Sequence, residues 1–149
     1  MSRAGARRAV GDAGNAMLEF CFLGLLLMVP LTYVMLTVFH VQSAAYAAAS
    51  ATREAARAFT TTDAGGDPWP RAFQAAQLAM GDHGLELAPD QLNIACSTDP
   101  CLAAAGTVRA TVEVRVALPL MPRVLGDVVP ASVRVHASHL QYVDRFRAG

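Results

Sequence analysis

Apolar and polar positions divide the chain into two kinds of segment. Residues 20–41 form an almost unbroken apolar run, and between Ala16 and Ala51 the only Asp, Glu, Lys or Arg is Glu19. At about 1.5 Å per residue, a helix over that run reaches roughly 33 Å, enough to cross a bilayer. Pro30 lies inside it and predicts a bend, which membrane helices tolerate because neighbouring groups re-satisfy the freed carbonyl. Residues 42–59 are dominated by alanine, the best helix former, with no Gly or Pro. The helix is therefore expected to continue past the membrane surface, with Arg53, Glu54 and Arg57 beginning its water-exposed part. Arg57 complements the dipole at its end, and the polar, Gly-rich stretch 60–68 reads as a break.

Beyond the break the periods change. Asp67 is placed to cap a short helix with Pro68 in its first turn, and Ala72, Ala75, Ala76 and Ala79, with Phe73, Leu78 and Met80, give a loosely helical pattern ending at Gly81 to Gly84. Leu92, Ile94 and Cys96 alternate with Gln91, Asn93 and Ala95 as a short edge strand. The clearest strand signal covers 107–118. There Val108, Ala110, Val112, Val114 and Val116 fall on one face, while Arg109, Thr111, Glu113 and Arg115 fall on the other. A second such strand begins with Val133, Val135 and Ala137 against Arg134, His136 and Ser138, and should pair antiparallel with the first across a loop of about a dozen residues. Leu120, Met121, Val124 and Leu125 in that loop either meet a partner or fold back over the sheet, the second being the preferred reading. The expected fold class is α+β: a long N-terminal transmembrane helix extending out of the membrane, then a short helix and a small antiparallel β-sheet. The expected segments are a basic leader (1–14), the long helix (15–59), a linker (60–68) and an extracytoplasmic α+β domain (69–149).

Composition narrows the chemistry. The 149 residues are 54% hydrophobic with a formal net charge of zero, and all positive charge is Arg. The lack of a basic patch points away from nucleic acid, and the lack of lysine removes Schiff-base and P-loop chemistry. There is no Gly-x-Ser-x-Gly, His-Glu-x-x-His or dinucleotide fingerprint, so no enzymatic activity and no cofactor are expected. His40 and His83 read as interfacial or solvated. Cys96 and Cys101 lie at the ends of a tight turn on the expected oxidising side of the membrane, so a disulfide is expected. A zinc site with His136 and His139 is the alternative, but a strand turns those two side chains to opposite faces. Cys21, inside the apolar run, reads as an inert apolar side chain.

Glu19 is the residue that needs a reason. An ionised acid toward the middle of a membrane helix costs about 2.5 to 3.5 kcal/mol on insertion scales, and less near the interface, so such acids are functional candidates by default. Before it, Arg3, Arg7 and Arg8 outweigh Asp12, which by the positive-inside tendency keeps this end cytoplasmic. A secretory signal peptide competes for the region, but its apolar core is usually about 7 to 15 residues, shorter than this run. Gly14 followed at the fifth position by Glu19 and then Phe20, after a basic leader and before an apolar helix, resembles the processing motif of type IV prepilins and pseudopilins. The wider pattern adds Val29-Pro30 inside the span and Arg53-Glu54-Ala55-Ala56-Arg57 after it. It resembles TadE-like proteins of tight-adherence (Tad/Flp) pilus systems over about the first 60 residues.

The resemblance implies a pilin-like fold and cleavage between Gly14 and Asn15 by a prepilin peptidase, a membrane-embedded aspartic protease. Glu19 would become the fifth residue of the mature chain, where in pilins it is thought to meet the N-terminal amine of a neighbouring subunit. A costly lone carboxylate becomes tolerable when paired, so such a contact favours assembly and fixes register. Gly14 suits a cleavage site because it lets the peptide bond approach a catalytic pair closely. The polar Asn15, Phe20 after the acid, and the added domain point to a minor subunit rather than a major one. The implied partners are the prepilin peptidase, other pilins or pseudopilins, inner-membrane Tad assembly proteins and membrane lipid. The implied location is the bacterial cytoplasmic membrane, single-pass, with the C-terminal domain outside. The competing expectation is an unprocessed single-pass envelope protein whose outer domain binds a partner or ligand.

Overall fold

The computed structural model describes residues 12–63, 65–119 and 132–146. Its elements are α1 (Asp12–Thr60), α2 (Pro68–Gly81), a 3-10 turn (Pro89–Gln91), β1 (Leu92–Cys96), β2 (Thr107–Ala117) and β3 (Ser132–Tyr142). The architecture is α+β, and the chain divides into two compact units at Leu36/Thr37. Residues 120–131 of the sequence-predicted loop between the last two strands, with Leu120, Met121, Val124 and Leu125, lie outside the described residues, as do Arg3, Arg7 and Arg8.

The first unit is apolar and uncovered. Phe20, Phe22, Leu25, Leu26, Leu27 and Met28 are all exposed, with Pro30 inside the helix. The helix is long and apolar enough to cross a membrane, with none of its most apolar window buried against the rest of the chain. Such a surface is unfavourable in water, since each apolar Å² left wet forgoes about 25 cal/mol.

The second unit begins within α1. Ala44, Ala47, Ala48, Ala51, Ala55, Ala56 and Phe59 are buried, a run of i, i+3, i+4 and i+7 steps that makes one continuous helical stripe. Thr52 sits fully buried in the stripe and its hydroxyl donates to the Ala49 carbonyl at 2.9 Å, so no polar atom is left orphaned there. Arg53, Glu54 and Arg57 face outward. The helix ends on three threonines whose hydroxyls back-bond to the last turn: Thr60 to Ala56 at 3.0 Å, Thr61 to Arg57 at 2.9 Å and Thr62 to Ala58 at 2.9 Å. The Thr62 bond supplies a partner for the Ala58 carbonyl, which the helix terminus leaves free, while the Arg57 carbonyl also accepts from the Thr61 N–H at 3.0 Å.

α2 starts as its residues dictate. The Asp67 carboxylate accepts from the Trp69 N–H at 3.0 Å, and Pro68 occupies the first position, where its missing N–H costs nothing. The helix closes where Gly84 adopts φ +69° and the Leu85 N–H reaches back to the Met80 carbonyl at 3.1 Å. Ala72, Ala76, Ala79 and Met80 are its buried face, and Trp69 and Phe73, one turn apart, stack with centroids 6.3 Å apart.

The sheet is antiparallel in the order β1-β2-β3. Val108, Ala110, Val112, Val114 and Val116 of β2 are all buried, while Arg109, Glu113 and Arg115 are exposed, as the period of two predicts. The inner face joins the alanine stripe of α1 and the buried face of α2 in one hydrophobic cluster that also holds Leu87, Leu92, Val135 and Val143. β3 keeps the period but its polarity inverts along its length. Val135 is buried and Ala137 half-buried, as expected, whereas further on His139 and Gln141 are half-buried and Leu140 and Tyr142 are exposed. Val133, expected on the apolar face, is itself 36% exposed near the start of the strand. Continuous pairing with β2, which sets Leu140 opposite Arg109 and Tyr142 opposite Thr107, fixes the faces whatever the side chains prefer.

Candidate assembly and processing site on the N-terminal helix

The backbone of Gly14 and Asn15 belongs to α1, so the helix runs without interruption from Asp12 through Glu19 and Phe20. Glu19 is exposed, as are Met17, Leu18 and Phe20, the last at 77%. Among the described residues Glu19 has no hydrogen-bond or ion-pair partner. The ion pair that does occur among them, Arg134 Nε to Glu113 Oε1 at 3.2 Å, lies on the sheet. Glu19 therefore combines a formal carboxylate, full accessibility and a surround of Leu18, Phe20, Phe22 and Leu23. In a membrane such a group favours whatever cation can approach it, because an opposite charge in a low-dielectric setting is worth far more than in water. Cys21 is exposed on the same helix and unpaired.

In the second unit Cys96 and Cys101 are joined by a disulfide, with Cα atoms 5.2 Å apart. The bridge pins the start of the β1–β2 connection. That connection is further tied by Ser97, whose N–H donates to the Thr107 carbonyl at 2.9 Å and whose Oγ accepts from the Thr107 N–H at 2.9 Å. Gly106 is required in it, since a Cβ there would stand 2.7 Å from Thr98 Oγ1 and 3.0 Å from the Ala103 carbonyl. His136 is exposed opposite Glu113 on the outer face, and His139 lies half-buried on the inner one. No group of three or more His, Cys, Asp or Glu side chains comes together among the described residues. His83, in the turn after α2, is exposed and its Nδ1 lies 3.1 Å from Ser43 Oγ of α1.

Two features escaped the sequence pattern. The alanine stripe of α1 carries no contrast in hydropathy, because Ala45, Ala49 and Ala58 off the stripe are the same residue as those on it. The open edge of β3 is a property of topology, which residue types alone do not specify. Compared with protein-family models, curated proteins and solved structures, the chain finds no match.

Proposed function

We propose that the chain is a minor pilin or pseudopilin subunit, TadE-like, of a Tad-type pilus assembly or secretion apparatus. It is cleaved by a prepilin peptidase after Gly14 and assembled through its N-terminal helix in the cytoplasmic membrane, with the α+β domain outside. The observation that carries this reading is Glu19: an accessible carboxylate without a partner among the described residues, on an apolar helix that is itself uncovered. Cleavage at Gly14 removes the leader arginines and creates an α-amino group on Asn15, four residues before that carboxylate and normally protonated near neutral pH. The amine of one copy is the cation that the Glu19 of its neighbour lacks.

Intact mass and N-terminal sequencing of the protein taken from its native membrane test the reading. Mature chains should begin at Asn15, and Gly14→Val should leave the leader in place. A leader retained beside an active prepilin peptidase would sink the proposal in favour of an unprocessed envelope protein. Glu19→Leu should be processed and inserted normally yet disappear from complexes with partner subunits. Recovery of that variant with its partners at normal yield would remove the pairing role.

A further inference from the structure

We infer that the outer α+β domain joins copies of itself side by side, the free edge of β3 in one copy pairing in parallel with the free edge of β1 in the next. The inference goes beyond the pilin reading and requires neither cleavage at Gly14 nor the Glu19 contact.

The first support is the hydrogen-bond parity of the sheet. The Val143 N–H donates to the Gly106 carbonyl at 2.8 Å, one step past the Thr107↔Tyr142 pair. Because bonded and non-bonded pairs alternate in an antiparallel ladder, odd-numbered residues of β3 turn their backbone groups to β2. Arg134, His136, Ser138 and Leu140 therefore turn theirs outward. By the same rule, the Ser97 N–H bond to the Thr107 carbonyl leaves Leu92 and Ile94 of β1 facing out. Neither set has a backbone partner among the described residues. β1 and β3 are both antiparallel to β2, so they run in the same direction.

Asn93 pairs with Thr111 and Thr111 pairs with Ser138, so these three form one row across the outer face. A copy shifted sideways by three strand spacings, about 14 Å, continues that row and brings its Asn93 level with Ser138. This register meets the bonding rule for parallel strands. The Ser138 N–H reaches the Leu92 carbonyl of the next copy, and the Ile94 N–H of that copy reaches the Ser138 carbonyl. The Leu92 N–H then finds the His136 carbonyl and the Leu140 N–H finds the Ile94 carbonyl. Side-chain faces match as well, since Asn93 and Ser138 are both exposed on the outer face.

The second support is charge. Between Arg71 and Arg109 the chain has Asp82, Glu86, Asp90 and Asp99 and no Arg or Lys, so the segment that carries β1 is acidic, with Asp90 just ahead of the strand. On its exposed face the β3 strand carries Arg134 and His136 and no acid, with Arg134 also 3.2 Å from Glu113 of β2. The shift brings Asp90 of one copy toward Arg134 and His136 of the next. A β3·β3 pairing about a two-fold axis would instead put two basic strands together. β3 is also a long, regular edge: its 11 residues pair with β2 without a break, and it contains no Pro. Few bonds join each pair of copies, but a common membrane anchor raises their effective concentration.

The test uses the full chain in membrane vesicles with Cys21→Ser as background, carrying Asn93→Cys and Ser138→Cys together or singly, oxidised and run on non-reducing gels. The two positions are two strand spacings apart within one chain, about 10 Å, beyond the roughly 7 Å Cα limit of a disulfide. The double variant should give a ladder of dimers, trimers and larger species, each single variant monomers, and a mixture of the single variants dimers only. Asp90→Arg in the double variant should lower the ladder at least several-fold. Dimers from Ser138→Cys alone would overturn the inference in favour of two-fold β3 pairing. Monomers from the double variant, with both thiols reactive to a maleimide, would overturn edge pairing altogether. The N-terminal residue, determined on the same samples, reports on the cleavage reading separately.

Discussion

The two halves of α1 obey opposite rules. Before Leu36 the helix carries Phe, Leu, Met and Val on all sides, and these large side chains are exposed; from Ala44 on it carries mostly alanine, and one stripe of it is fully buried. Hydropathy alone would rank the first half as core and the second as surface. The difference teaches that the apolar run has no partner surface within the described chain, whereas the alanines are matched to one, the sheet and α2. Small side chains let a helix backbone approach a sheet closely, so what they lose in transfer energy they regain in contact density.

The substitution that breaks this comparison most sharply is a single acid placed in each half. Ala51 has no exposed surface, and Ala51→Asp would bury a charge without a partner, a cost of about 3 to 5 kcal/mol that rivals the whole stability of a small domain. The second unit should lose protease resistance and its cooperative thermal transition. Met28→Asp, at a residue 63% exposed, should add about 2.5 to 3.5 kcal/mol to membrane insertion, reducing the inserted fraction while inserted molecules keep that transition. Equal damage to the second unit from both variants would mean that the two halves do not differ as the burial pattern says.

The next effect is confined to the second unit. The disulfide closes a ring with a sequence separation of 5, worth about 2 kcal/mol by loop entropy. Replacing both Cys96 and Cys101 by alanine should lower the unfolding free energy of the second unit by that much, read as a lower denaturation midpoint, with membrane insertion unchanged. An unchanged midpoint would assign the stability of the β1–β2 connection to the Ser97 and Thr107 bonds instead.

How far these features could be read from residues depends on contrast. Asp67-Pro68 announced the start of α2, and the Val-x-Val alternation of β2 announced both the strand and its buried face, because each position there differs in polarity from its neighbours. β3 was legible only at its start: His139 and Gln141 sit on the inner face and Leu140 and Tyr142 on the outer, an order imposed by pairing with β2. The alanine stripe was illegible because a run such as Ala47-Ala48-Ala49 gives helix but no face. At the candidate site, Glu19 stood out for the same reason that β2 did, as a charge amid apolar neighbours, while nothing in residue type alone says which cation it meets.

The smallest effect probes the boundary where α2 begins. The Asp67 carboxylate holds the Trp69 N–H at 3.0 Å, and Trp69 stacks on Phe73, half-buried against the core. Asp67→Ala removes the acceptor from the first turn and should cost about 1 kcal/mol, whereas Asp67→Asn keeps an acceptor there and should cost little. If the loss came from the negative charge at the helix start rather than from the bond, Asp67→Asn would fall with Asp67→Ala. The thermal midpoint of the second unit, measured for both variants side by side, separates the two. Either result leaves the apolar half of α1 untouched, because α2 packs on the alanine half and the sheet.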